Sequence, residues 1–172
     1  MQLVGKRIVI RDFTLADVDE YWQYATDPQV AGPAGMRVPQ TRRQAAVVVR
    51  RFITTHSDFA ITLDDTVIGN IGAYPRTGDP DSPDVWTREI GYALARPLWG
   101  QGYMTEALEL LSDFLFRSGM TALWAGVFPE NQRSIVLLER AGFEYQFTVP
   151  LPLGLTQGQP RAEAYYRRLA GA

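Results

Sequence analysis

A strand-like run, Glu89-Ile90-Gly91-Tyr92-Ala93-Leu94-Ala95-Arg96, leads through Pro97-Leu98-Trp99-Gly100-Gln101-Gly102 into a helical opening, Tyr103-Met104-Thr105-Glu106-Ala107. Glycines let a chain turn tightly and approach a ligand closely. The free N–H groups of a helix start, backed by the helix dipole, seat a phosphate or pyrophosphate without any basic side chain. Three further readings compete. A P-loop requires Gly-Lys-Ser/Thr, and Tyr103 follows Gly102. A dinucleotide fingerprint requires a third small residue where Thr105 stands and an acidic residue ~20 positions on, where the chain reads Ala122-Leu123-Trp124-Ala125. The last reading is a glycine turn with no ligand at all.

Other chemistry-bearing residues are few. There is no cysteine, which removes disulfides, thiolate metal sites and a Cys nucleophile together. His56 is the only histidine and has no carboxylates spaced to join it, so no metal site is expected. Arg42, Arg43, Arg50 and Arg51 read as a solvated helix face. Asp79, Asp81 and Asp84 make one loop acidic, either to steer a cationic ligand or as a solvated turn.

The elements that must position the turn follow from pattern. Lys6 to Asp12 reads as a strand, and Thr14 with Asp17 as a cap for a helix over Leu15–Ala25 that Asp27-Pro28 ends. Trp22 is expected in the core, and Tyr24 either there or at a ligand site. Gly32 to Pro39 reads as a loop, and Thr41 caps a second helix to about Thr55. Phe59–Leu63 and Val67–Ala73 form a hairpin at Asp64-Asp65. After a loop over Pro75–Pro83 come a strand at Val85–Ala95, a helix from Met104 to Arg117 with Gly119 as its stop, and a strand at Thr121–Phe128. Asn131 caps a short helix ending at Gly142; strands at Phe143–Val149 and Ala162–Leu169 flank a loop at Leu151–Pro160. The order β-α-α-β-β-β-α-β-α-β-β predicts an α/β fold, a mixed sheet with helices on both faces. No linker divides the 172 residues, so one domain, 1–172, is expected.

The formal net charge of −2 lacks the basic footprint of a nucleic-acid binder. Neither a signal-peptide core nor a run of ~20 apolar residues is present, so no membrane is expected and a cytoplasmic location is.

The segments Glu89-Ile90-Gly91-Tyr92 and Trp99-Gly100-Gln101-Gly102-Tyr103-Met104-Thr105-Glu106-Ala107 resemble the acetyl-CoA motif of the GNAT N-acetyltransferases, in the form seen in its Rim-type branch of ribosomal-protein N-terminal acetyltransferases. Asn131-Gln132-Arg133-Ser134, followed by Leu138-Glu139-Arg140-Ala141-Gly142-Phe143, resembles a second block of that branch. Gly5 to Asp12, Asp27-Pro28 and Val67-Ile68-Gly69 fit as well, so the resemblance spans nearly the whole chain.

The resemblance implies a GNAT-type fold with a splayed parallel strand pair, Val85–Ala95 and Thr121–Phe128, and acetyl-CoA between them. It implies a pyrophosphate on the N–H groups of Gly100, Gln101, Gly102, Tyr103, Met104 and Thr105, with Trp99 beside them. Pantetheine would run along Leu94, Ala95 and Arg96, and an N–H near Leu94 would hold the thioester carbonyl. Asn131 would cap its helix and touch the cofactor. Many GNAT enzymes carry Tyr, as general acid, where Leu138 stands; the branch implies Ser134 in that role, the alternative being solvent. Trp99 and Met104 depart from the wider superfamily and are familiar in the branch.

Glu89 is the implied general base for a protonated amine. Glu89 to Ala93 spans about 13 Å at ~3.3 Å per residue, so a water relay is expected; the other reading pairs Glu89 with an arginine of a neighbouring strand. Arg133 and Arg140 are expected at the surface. The implied activity is acetyl transfer to a primary amine, a protein N-terminus or a small amine, by direct attack. The alternative is a CoA-binding sensor without turnover. A homodimer is a further expectation from relatives.

Overall fold

The computed structural model describes residues 1–76, 85–152 and 161–171. The acidic loop of Asp79, Asp81 and Asp84, and most of the Leu151–Pro160 loop, lie outside the described residues. The chain forms two compact units: Met1–Ala73 with Gly91–Phe114, and Tyr74–Ile90 with Leu115–Ala172.

In the first unit, β1 (Gln2–Val4) pairs antiparallel with β2 (Val9–Asp12), β2 with β3 (Asp58–Leu63), and β3 with β4 (Thr66–Pro75). The hairpin turn sits at Asp64 and Asp65 as expected, both with positive φ, the conformation that matches strand twist in a two-residue turn. Where one first strand was expected from Lys6, there are two. Gly5 N–H donates to the Ile8 carbonyl and closes a turn between them.

A 3-10 turn at Leu15–Asp17 leads into α1 (Val18–Ala25), and α2 (Pro28–Ala31) follows. Asp17 accepts from the Thr14 N–H at 2.7 Å and from both terminal nitrogens of Arg11. Asp27 starts α2 by accepting from Gln29 N–H. Thr41 caps α3 (Arg42–Thr55), which ends at His56 in a left-handed conformation. Tyr21 packs edge to face against Phe13, Tyr24 and, from α3, Phe52, and Phe52 lies tilted against Phe13, at the centre of this unit's core. Burying a ring of this size stabilises the fold by roughly 1.5–3 kcal/mol. Trp22 is half-buried against that core; Tyr24 is buried and donates its hydroxyl to Asn70 Oδ1 at 3.0 Å. His56 is exposed.

Strand β5 (Thr87–Leu94) gives its first half to the second unit and its second half to the first. It begins two residues later than expected, because Val85 and Trp86 form a turn. The expected parallel pair is present: Thr87, Arg88 and Glu89 face Ala122, Leu123 and Trp124 of β6 (Ala122–Val127). In the second unit β6 also pairs antiparallel with β8 (Ala162–Leu169), and β8 with β7 (Glu144–Pro150). The strand order is thus β1-β2-β3-β4-β5 through the first unit and β5-β6-β8-β7 through the second. The remaining helices are α4 (Tyr103–Arg117) and α5 (Gln132–Arg140). Among the described residues no helix is long and apolar enough to cross a membrane.

Candidate active site

The glycine turn lies where the sequence places it. β5 ends at Leu94, a 3-10 turn covers Arg96–Leu98, and α4 begins at Tyr103. Gly100 and Gly102 both adopt left-handed φ, +76° and +82°, a region that costs a side chain roughly 1–2 kcal/mol. A Cβ on Gly100 would meet nothing within 4 Å, so the backbone there is open to approach. The first-turn N–H groups of a helix have no acceptor inside it, and here the intrahelical ladder opens with Glu106 N–H to the Gly102 carbonyl.

Side chains lock the approach to this turn. Trp99 Nε1 donates to the Leu94 carbonyl at 2.8 Å, and its ring packs on the first unit's core. Trp99 therefore ties the strand end to the turn through its indole. Arg96 Nε donates to Asp27 Oδ2 at 2.7 Å, so the Arg96 side chain is held to the start of α2. Ala95 N–H donates to the Ile68 carbonyl at 2.8 Å. Gly69 lets β4 come this close: a Cβ there would lie 2.3 Å from the Ala93 carbonyl oxygen. Gln101 is exposed, and Met104 is buried in the first turn of α4.

Sequence reasoning missed the clamp on the other side. Arg7 Nη1 donates to the Gln101 carbonyl at 2.8 Å, and its guanidinium lies 4.6 Å from the centre of the Tyr103 ring. Arg7 Nε and the Arg7 N–H both donate to the Glu106 carboxylate, at 2.9 and 2.8 Å. Burial alone would raise the pKa of Glu106. The N–H groups of Arg7, Ile8 and Lys6, with the Arg7 guanidinium, outweigh it and hold the group below the usual carboxylate range. The turn between β1 and β2 thus pins the first turn of α4. The signal available beforehand was a basic turn and an acidic helix start, with nothing to join them.

The second unit carries the other expected residues. Asn131 caps α5 as expected, its Oδ1 accepting from Ser134 N–H at 3.3 Å. Its amide Nδ2 also donates to Ser134 Oγ at 3.1 Å. A hydroxyl that accepts there directs its own proton elsewhere. Leu138, one turn further along α5, is 1% exposed, so that position is committed to packing. Arg133 and Arg140 are exposed, as expected.

Glu89 is half-buried on β5. Burial raises its pKa above the usual carboxylate range, the negative charge of Glu163 adds to this, and Arg76 opposes it. Neither expected reading of Glu89 named a second carboxylate, because Glu163 is 74 positions away on β8. β5 is a continuous strand from Thr87 to Leu94, so the spacing of about 13 Å between Glu89 and Ala93 stands. Among the described residues, no three His, Cys, Asp or Glu side chains are grouped to hold a metal.

Residues 7–144 match the family model described as an acetyltransferase (GNAT) domain. The chain belongs to the GNAT acetyltransferase family. The uncharacterized N-acetyltransferase p20 of Bacillus licheniformis is 31% identical over 150 residues, 83% of this chain and 82% of its own. Two solved structures share the fold at lower identity. The ribosomal-protein-S5-alanine acetyltransferase of Vibrio fischeri has a TM-score of 0.80 at 16% identity, covering 99% of this chain and 97% of that one. The aminoglycoside acetyltransferase AAC(6')-Ib, in complex with coenzyme A, has a TM-score of 0.75 at 23% identity, covering 94% of each.

This GNAT chain is accordingly an N-acetyltransferase, and acyl transfer from acetyl-CoA is the family's reaction. The glycine turn fits that co-substrate on its own geometry: open backbone at Gly100, a helix start behind it and a guanidinium alongside.

Proposed function

We propose that this chain is a Rim-type N-acetyltransferase that moves acetyl from acetyl-CoA to an N-terminal α-amine by direct attack. The observation that carries the reading is the glycine turn, with two left-handed glycines opening α4. The N–H groups of Gly100 to Thr105 hold the pyrophosphate, with Arg7 beside them. Ala95 has given its N–H to Ile68, so pantetheine pairs with Leu94 and Arg96 instead. The Leu94 N–H holds the thioester carbonyl as charge develops on its oxygen. Acetyl-CoA supplies the activated acyl group.

Glu89 takes the proton of the incoming ammonium through water. Burial and the charge of Glu163 raise its proton affinity above that of an ordinary carboxylate, which strengthens it as a base. Ser134, oriented by Asn131, gives a proton to the departing thiolate. Leu138 has none to give. The likeness to the Vibrio fischeri enzyme supports an N-terminal acceptor. The likeness to the aminoglycoside enzyme keeps small amines in the panel that tests it.

Binding tests the first half. Acetyl-CoA at ~100 times its Kd should stabilise the folded chain by roughly 2.7 kcal/mol, read as a rise in Tm. Gly102→Asp should abolish that rise, since a carboxylate then occupies the anion seat. An equal rise in both proteins would remove the glycine turn from the account.

A further inference from the structure

The carbonyls at the end of β5 are closed by the turn that follows it. Trp99 Nε1 donates to the Leu94 carbonyl at 2.8 Å, and Leu98 N–H to that of Ala95 at 3.0 Å. Trp99 N–H donates to the Arg96 carbonyl at 3.2 Å, and Gln101 Nε2 to that of Pro97 at 3.1 Å. The middle two are 3-10 turn bonds, which the backbone makes whatever the side chains. The bond to Leu94 is different. It comes from a side chain, and an indole N–H can only donate.

In an antiparallel ladder the N–H and C=O of one residue point to the same neighbour, and those of the next residue point the other way. Ala95 N–H reaches the Ile68 carbonyl of β4 at 2.8 Å. Leu94, one residue earlier, therefore turns both its N–H and its C=O to the opposite edge of β5. The ladder with β6 covers Thr87, Arg88 and Glu89, and Leu94 lies beyond it. A bare strand edge offers donors and acceptors in alternation, so a ligand that carries amides can pair with it in more than one register. With the Leu94 carbonyl closed, this edge meets the co-substrate through donors, the N–H groups of Leu94 and Arg96. The Trp99 ring packs on the core cluster that holds Tyr24 and Ala93, so the indole donor is fixed in place.

We propose that Trp99 is a positioning residue for acyl transfer. Its indole N–H closes the Leu94 carbonyl, so the strand end takes the co-substrate through carbonyl oxygens alone and in one register, with the thioester on Leu94 N–H. The proposal rests on the reading that Leu94 N–H holds the thioester carbonyl. The negative end of the Leu94 carbonyl dipole shares an edge with the thioester oxygen, on which charge develops in the transition state, and the indole proton offsets it. A pantetheine N–H finds no open acceptor at Leu94, so a slip that carries the thioester past its donor gains no bond.

Two replacements remove the donor differently. Trp99→Phe keeps a ring on the core and loses the N–H. Benzothienylalanine at position 99 keeps the shape of the indole and has sulfur where the N–H was. Each should lower kcat about tenfold, as displacement of a reacting group does. The Kd for CoA, which has no thioester carbonyl, should change by less than about twofold. Infrared difference spectroscopy of acetyl-CoA carrying carbon-13 at the acetyl carbonyl reads the register without turnover. The bound wild-type complex should give one narrow carbonyl band, and both replacements a broadened or split one. A tryptophan that only packs would, when replaced, lower Tm and leave the band as it is in the wild type. An unchanged band in the benzothienylalanine protein overturns the proposal, as does an unchanged kcat in both proteins. If the wild-type band coincides with that of free acetyl-CoA, the reading of Leu94 itself fails. If the wild type turns over no amine, the transfer reading fails, and the band still decides the role of Trp99.

Discussion

Arg7 and Glu106 stand 99 positions apart in the chain, yet the Arg7 guanidinium donates to the Glu106 carboxylate at 2.9 Å while donating to the Gln101 carbonyl at 2.8 Å. One side chain thus fixes both the glycine turn and the helix that begins after it. Its charge lies beside the seat assigned to the pyrophosphate. Arg7→Ala should weaken acetyl-CoA binding about tenfold, a loss of roughly 1.4 kcal/mol, measured by calorimetric titration. Arg7→Lys keeps the charge without the planar fork and should fall between the two.

Glu106 makes this clamp pH-dependent. Its folded pKa lies below the usual value, so it contributes stability above the ordinary carboxylate range. That contribution is lost as pH falls through the lowered folded value. Acid unfolding of Glu106→Gln, followed by circular dichroism, should therefore show a weaker pH dependence than the wild type, with the difference confined to acid pH.

Gly69 and Gly100 should respond oppositely to alanine. At Gly69 the new Cβ would meet the Ala93 carbonyl at 2.3 Å and Leu94 Cα at 3.0 Å. Both contacts are backbone, so β4 and β5 must part. A loss of about 3 kcal/mol or more is expected, read as a large fall in Tm. At Gly100 there is room, and the only penalty is the positive φ, roughly 1–2 kcal/mol. Gly100→Ala should fold and bind acetyl-CoA more weakly.

Much of this site was legible in the sequence because its determinants are local. The glycines and the Asn131 cap are set by short-range pattern and appear where expected; the parallel pair, which the family resemblance implied, is present as well. β1 and α2 were not legible, since three or four residues are too few to show a period. The contacts of Arg7 with Glu106, and the charge of Glu163 beside Glu89, depend on strand register and on chain segments far apart. Spacing in one sequence carries no such signal.

On α5, Ser134 and Leu138 should not be interchangeable. Ser134→Ala should lower kcat on the order of 10²-fold. Asn131→Ala should lower it too, and also remove a cap worth about 1 kcal/mol. Adding Leu138→Tyr to Ser134→Ala should not restore the rate, because Leu138 is packed in the core and a larger ring there costs about 1–3 kcal/mol. Steady-state kinetics with a thermal melt of each variant checks all three.

Glu89 should trade stability for activity. Its folded pKa is raised by burial and by Glu163, so the ionised form is disfavoured in the folded chain. The penalty is absent below the ordinary carboxylate range and complete above the raised folded value. Glu89→Gln should raise Tm at neutral and alkaline pH and leave it unchanged in acid. The same change should lower kcat by about 10²- to 10⁴-fold.

The most direct measurement is thiol release from acetyl-CoA with N-terminal peptides, amino acids, polyamines and aminoglycosides, run with wild type and Glu89→Gln. The account predicts amine-dependent release by the wild type, fastest with N-terminal peptides, and loss of that release in Glu89→Gln. Tight acetyl-CoA binding with no release in the presence of any amine would contradict it and leave a CoA-binding sensor. Equal rates in the two proteins would contradict the role given to Glu89.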